Sequence, residues 1–151
     1  MGTTIGNLHV RRSIWINASP ARVWEEFTSL ERMQQWFGTG HRLVAFEPRV
    51  GGVVETDAGE GDDQYRFAGE VVAFDPEREL SFTQDWVDHG WPKPPVVTLR
   101  LTRHDGGTLV ELFHHGFEDL SDTAEAADNH AGFEDGWTLR QLLALRDVVG
   151  S

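Results

Sequence analysis

The sequence predicts an α+β domain in which a curved antiparallel sheet of about seven strands wraps a long C-terminal helix, with two short helices after the first strand. Three observations predict this fold. From Arg42 to Phe117, apolar residues recur with a period of two, which is typical of strands joined by turns. Two short helical stretches come before that region. The last segment, Ser121 to Gly150, is apolar on several sides and long enough for a largely buried helix.

Composition limits the classes of function. A chain of 151 residues with 39% hydrophobic residues, six Trp and nine Phe is expected to form one domain, residues 1–151, with a substantial core. The net charge of -12 argues against nucleic acid, which needs a basic face, and against anionic membrane surfaces, so neither is predicted as a partner. No apolar run approaches the roughly 20 residues of a membrane span. The absence of cysteine and of a signal-peptide pattern suits a cytoplasmic protein.

The first elements are a strand and two short helices. Leu8 to Asn17 alternates apolar and polar residues and is predicted as a strand. Ser19 is a good N-cap and Pro20 fits the first helical position. The helix that follows buries a stripe formed by Val23, Trp24 and Phe27. A second helix is predicted over Leu30 to Phe37 and ends at Gly38.

Six more strands are predicted before the last helix. They cover Leu43–Glu47, Gly52–Asp57, Tyr65–Ala73, Leu80–Trp86, Val97–Leu101 and Thr108–Phe117. Tight turns at Asp75–Arg78 and Asp105–Gly107 join neighbours into an antiparallel meander. The acidic stretch Ala58–Asp63 reads as a solvated hairpin tip. In the last strand we expect Phe113 and His115 on the inner side of the sheet, together with Leu109 and Phe117.

The terminal helix is the element that could cover the sheet. Ser121 and Asp122 can cap its start, and Gly150 follows its last apolar pair. Phe133 and Trp137 share an arc with Ala144 and Val148. Two hypotheses stay open: the helix only packs against the sheet, or it forms one wall of a pocket.

In this order and at this spacing, the motifs resemble those of the START-like (SRPBCC) superfamily, which has the helix-grip fold. More closely, the chain resembles bacterial single-domain proteins grouped with the activator of heat-shock-protein-90 ATPase homologues. The matching stretches are Ile16–Pro20 with Val23-Trp24, Trp36-Phe37, Phe46–Gly52, Gly69–Val71, Arg78–Leu80, Val97–Leu99, Gly116-Phe117 and Gly136-Trp137. One position departs, because Gln141 stands four residues after Trp137 where the family usually has leucine.

The resemblance implies a cavity between sheet and helix that takes apolar or amphipathic small molecules. Relatives in the superfamily bind lipids, cyclise polyketides or serve as chaperone partners. We therefore carry three hypotheses: a non-catalytic module that binds a hydrophobic small molecule, a cyclase or hydrolase acting on a polyketide-like or lactone substrate, and a chaperone-associated interaction domain. The third is the least favoured, because eukaryotic chaperone activators carry an additional domain. A homodimer is also left open.

The candidate residues follow from the predicted inner face and from one unusual loop. His115 is the candidate acid or base if the protein is an enzyme. The loop Val87–Pro95 holds Trp91 beside three prolines, and it either packs on the edge of the core or forms a lid. We expect no metal site, since no histidines have helical i, i+4 spacing, and no cofactor. The candidate ligand-binding residues are Trp36, Phe67, Phe82, Trp86, Trp91, Leu99, Phe113, His115, Phe133 and Trp137.

Overall fold

The structure is a computed structural model that describes residues 10–37, 42–58, 65–86, 96–115 and 139–150. Its helices are α1 (Pro20–Trp24), a 3-10 turn (Glu25–Phe27), α2 (Leu30–Phe37) and α3 (Leu139–Val149). Its strands are β1 (Val10–Ile16), β2 (Arg42–Phe46), β3 (Val53–Ala58), β4 (Tyr65–Asp75), β5 (Glu79–Thr83), β6 (Asp85–Trp86), β7 (Val96–His104) and β8 (Gly107–His115).

The strands form one curled antiparallel sheet. Seven of them follow the order β1-β8-β7-β5-β4-β3-β2, and the two-residue strand β6 pairs with β4. The sheet curls into a half-barrel, and helices including the C-terminal α3 accompany it, so the α+β helix-grip prediction is confirmed. The concave surface, called the inner face below, supplies most of the apolar core. Against it, α3 packs on β1 and α2, while α2 packs on β2.

The short helices form where their sequence predicts. Ser19 caps α1, because its Oγ accepts a hydrogen bond from the Arg22 amide at 3.2 Å, and Pro20 occupies the first turn. The predicted stripe of Val23, Trp24 and Phe27 is buried.

The terminal helix is described over its last three turns. Leu142 and Leu145 of α3 are buried, and so is Gln141, the residue that departs from the family pattern. Gly150 adopts a left-handed φ of 88° and ends the helix, as predicted. The earlier part of this predicted helix, residues 121–138, lies outside the described residues. So do the acidic loop beyond Ala58, the loop Val87–Pro95 and Phe117.

The inner side of β8 is the opposite of the predicted one. Val110, Leu112 and His114 are buried, whereas Phe113 is half-buried and His115 is exposed. Pairing decides the face, because Leu99 and Leu101 of β7 lie opposite Leu112 and Val110 and cross-strand partners share a face.

The sequence carries a signal for this face that the prediction overlooked. Glu111 and Phe113 are two residues apart on a strand and so share a face, which means that an inward Phe113 would carry a carboxylate inward as well. On the outer face, Glu111 pairs with Arg11 at 3.0 Å, and the Arg11 guanidinium lies 5.1 Å from the centroid of the Phe113 ring.

A buried carboxylate ties the helices together. Glu26 accepts hydrogen bonds from the guanidinium groups of Arg22 and Arg32, both at 2.9 Å, and its side chain is 2% exposed. Arg22 also reaches the carbonyls of Val148 and Val149 at 3.5 Å, at the C-terminal end of α3. A cation at a helix C-terminus is favourable, so this ionic cluster links α1 and α2 to α3.

We predict that Glu26→Ala lowers the free energy of unfolding by about 2–3 kcal/mol. The loss stays below the usual 3–5 kcal/mol for a broken buried pair, because the orphaned Arg22 and Arg32 side chains are 37% and 48% exposed. The control is Glu25→Ala, which removes an exposed carboxylate 3.3 Å from the same Arg22 and should cost under about 0.5 kcal/mol. Urea unfolding measures both, and equal losses would contradict the assigned role of Glu26.

Candidate functional site

Six aromatic rings form a continuous chain across part of the interior. Successive centroids lie 5.2, 5.1, 5.0, 5.8 and 5.8 Å apart, within the range of favourable ring contacts. The chain starts on β4, runs through the helices and returns to β5. In order, its members are Phe74, Trp24, Phe27, Trp36, Phe37 and Phe82. We call this set the aromatic chain.

Three predicted site residues lie in or beside the aromatic chain. Trp36 is fully buried, and its indole Nε1 donates to the Glu26 carbonyl at 3.0 Å. Phe82 meets the chain through Phe37. Leu99 is fully buried opposite Leu80, the strand neighbour two residues before Phe82. The structure therefore brings Trp36, Phe82 and Leu99 into one packed region.

The inner face includes buried polar side chains in the region formed by β3, β4 and the junction of β5 with β6. Thr56 is buried opposite Phe67, and Gln84 is buried two residues beyond Phe82. Between them on β4 is Gly69, opposite Val54. We call Thr56, Phe67, Gly69 and Gln84 the polar end of the inner face.

Gly69 is required by a close approach of two strands. A Cβ at this position would collide with the backbone carbonyl of Thr83. The same contact brings the Thr83 hydroxyl within 3.0 Å of the Glu70 amide, which donates to it. Gly69 therefore adds no side chain to the inner face, and the Thr83 backbone lies where its Cβ would point.

Among the described histidines, His114 faces the interior. Its Cα partners are Val10 and Val97, and its side chain is fully buried. His115 is exposed at the end of β8, and Phe113 is on the outer face. The prediction that His115 and Phe113 line the interior was therefore wrong.

The remaining predicted residues are only partly located. The backbone of Trp86 pairs with Phe67 across β6 and β4. Trp91, Phe133 and Trp137 lie outside the described residues. Within the described ranges, no group of three or more His, Cys, Asp or Glu side chains could hold a metal ion.

A separate groove of about 590 Å³ opens on the surface at the β4–β5 turn. Its charged lining consists of Asp75, Glu77, Glu79, Arg78, Arg100 and Arg103. Opposite charges are equal in number there, and Arg100 is already paired with Glu79 at 3.1 Å. The groove is thus an open, balanced surface cleft, distinct from the interior.

The chain belongs to the family described as activator of Hsp90 ATPase homolog 1-like protein, whose model matches residues 17–147. The match spans both helices after β1, the strands from β2 to β8 and most of α3. It confirms the resemblance to START-like, single-domain bacterial proteins of this type. A search of curated proteins finds no match.

Solved structures share the fold at low sequence identity. Protein CV1439 from Chromobacterium violaceum is 19% identical, with a TM-score of 0.70 over 95% of this chain and 98% of its own. The Aha1 dimer from Colwellia psychrerythraea is 17% identical, with a TM-score of 0.67 over 93% and 95%. DynU16, a protein of the dynemicin biosynthetic locus, is 24% identical, with a TM-score of 0.68 over 96% of this chain and 48% of its own.

These neighbours are similar in fold alone. Within the described ranges, no helix has the length and apolar character needed to cross a bilayer.

We predict that two adjacent histidines behave in opposite ways. His115→Ala should change the free energy of unfolding by less than about 0.5 kcal/mol, because its side chain is exposed. His114→Ala should cost about 2 kcal/mol or more, because it empties a buried site. Urea unfolding measures this, and diethyl pyrocarbonate labelling should modify His115 well before His114. The reverse order would show that the assigned inner face of β8 is wrong.

Proposed function

We propose that the protein binds an apolar or amphipathic small molecule between the inner face of the sheet and the predicted C-terminal helix, without catalysing a reaction on it. The observation that carries the proposal is the make-up of the inner face, where buried polar side chains stand among aromatic and aliphatic ones. Ligand pockets are typically built in this way, from an apolar lining with a few polar groups that orient the ligand.

Two comparisons support the proposal. Membership of the family fits it, since the family's helix-grip relatives take hydrophobic ligands. DynU16, one of the structural neighbours, is described by its place in a biosynthetic locus for dynemicin.

We assign the ligand to the polar end of the inner face. The aromatic chain fills the space between α1, α2 and the β4–β5 hairpin with rings in contact, which leaves little room there. Phe67 and Phe82 then form wall residues, with Trp36 and Leu99 in the layer behind them. We retain Trp86, Trp91, Phe133 and Trp137 as proposed lining residues.

The other hypotheses receive less support. The hypothesis that the protein is an enzyme depended on an inward-facing His115, and that residue is exposed. A dimeric neighbour favours the proposal that two copies of this chain associate, and native mass spectra of the purified protein would give the number of subunits together with any retained ligand. We further assign the protein to the cytoplasm, on the grounds of its cysteine-free sequence.

We predict that wild-type protein binds biphenyl, a neutral apolar probe, and that Phe67→Ala weakens this binding about tenfold by removing a ring from the wall. The control is Phe74→Ala, which removes the same ring from the same strand but at the aromatic chain. It should destabilise the fold while leaving the affinity within about twofold. Equilibrium dialysis measures the affinities. No binding of biphenyl by the wild type, and no molecule retained in native mass spectra, would contradict the proposed function.

A further inference from the structure

We propose that the polar end is a hydrogen-bonding subsite that selects an uncharged, apolar molecule carrying hydroxyl groups near both of its ends. The proposal deepens the proposed function and rests on it. Its basis is a pair of buried side chains, Thr56 and Gln84, whose oxygens have no hydrogen-bond partner among the described residues.

Thr56 contributes a hydroxyl group. Its side chain is 2% exposed on the inner face, between Leu43 of β2 and Phe67 of β4. Its Oγ1 makes no hydrogen bond within the described part of the chain. A hydroxyl in this state can both donate to and accept from a guest.

Gln84 contributes an amide group. Its side chain is 3% exposed, and its Oε1 has no partner among the residues that the structure describes. Thr56 Oγ1 and Gln84 Oε1 are therefore alike, since both belong to buried side chains of the inner face and neither has a hydrogen-bond partner among the described residues. They are separated by two strand spacings, on the order of 10 Å.

Other buried hydroxyls of the same sheet show what a satisfied side chain looks like here. The Ser81 and Thr98 hydroxyls lie 2.9 Å apart and share a hydrogen bond. The Thr108 hydroxyl donates to the Ala18 carbonyl at 2.7 Å. Among the described residues, Thr56 therefore differs from these three buried hydroxyls, since its Oγ1 has no hydrogen-bond partner.

The unpartnered oxygens of Thr56 and Gln84 carry a free-energy cost. A buried polar group without a hydrogen bond is unfavourable, and an apolar residue of the same shape would avoid the loss. Valine and methionine would serve packing equally well at these two positions. A guest that completes both hydrogen bonds removes the cost, so the pair favours a ligand with an oxygen at each end.

The charge of the ligand follows from the surroundings. The side chains that share this part of the inner face are apolar: Leu43, Phe46, Val54 and Phe67. The nearest ionic pair, Arg42 with Asp57 at 3.1 Å, lies on the outer side with a largely exposed guanidinium. No charged side chain of the described residues lies on the inner face at the polar end, so a carboxylate or phosphate would enter uncompensated. Hydroxyl groups fit instead.

The experiment compares three probes of the same shape: biphenyl, 4-hydroxybiphenyl and 4,4′-dihydroxybiphenyl. For the wild type we expect the affinity to rise along this series, by about tenfold from the first to the last. Thr56→Val and Gln84→Met should each weaken the dihydroxy probe several-fold and leave biphenyl within about twofold. The double variant should bind all three alike.

Matched controls come from exposed residues of the same types. Thr102→Val on β7 and Gln35→Met on α2 should leave the whole series unchanged. If the wild type binds all three probes equally and the inner-face variants change nothing, the hydroxyl-selective subsite is wrong while ligand binding stands. If the wild type binds none of them, the proposed function itself fails.

A second readout needs no ligand. Because Thr56→Val and Gln84→Met remove unsatisfied buried groups, their midpoints in urea should equal or exceed that of the wild type. Lowered midpoints would overturn the inference, since they would mean that the two side chains already have partners in the folded protein.

Discussion

The contact on which the rest of the structure depends is the aromatic chain that begins at Phe74 on β4 and returns to the sheet at Phe82 on β5. Between these anchors, the rings of Trp24, Phe27, Trp36 and Phe37 belong to the helical segment after β1. Because both ends of the chain lie on adjacent strands, the segment is held in the concavity of the sheet. Large rings that are packed in contact dominate such cores through the apolar area they bury.

Polar groups fix the geometry that the rings stabilise. The Glu26 carbonyl accepts a hydrogen bond from the Trp36 indole, and the Glu26 carboxylate forms ion pairs with both Arg22 and Arg32. Arg22 in turn meets the end of α3, which packs on α2 and β1. The interior is therefore divided. One part is filled by rings, and the other presents the oxygens of Thr56 and Gln84, which have no partner in the described part of the chain. We propose the second part as the place for a guest, in keeping with family membership and the curled sheet.

Local signals predicted much of the fold and less of the site. Ser19-Pro20 predicted the start of α1, and Gly150 predicted the end of α3, because capping depends on a few adjacent residues. The inner face of β8 was mispredicted, because the strand pattern fits either of two sets of alternate residues, Phe113 with His115 or Leu112 with His114. Partners in β7 decide between the two sets, and the charge of Glu111 was the local clue. The unsatisfied state of Thr56 and Gln84 could not be predicted, because it depends on which groups the folded chain brings near them.

The central claim is that a guest occupies the polar end and not the part of the interior filled by the aromatic chain. A methyl NMR titration with 4,4′-dihydroxybiphenyl tests it most directly. We predict saturable shifts at the methyl of Thr56 and at those of Val54 and Val71 beside the polar end, with little change at Ile14, Leu101 and Val110 on the β1–β8–β7 side. Shifts confined to the second group, or spread evenly over both, would contradict it.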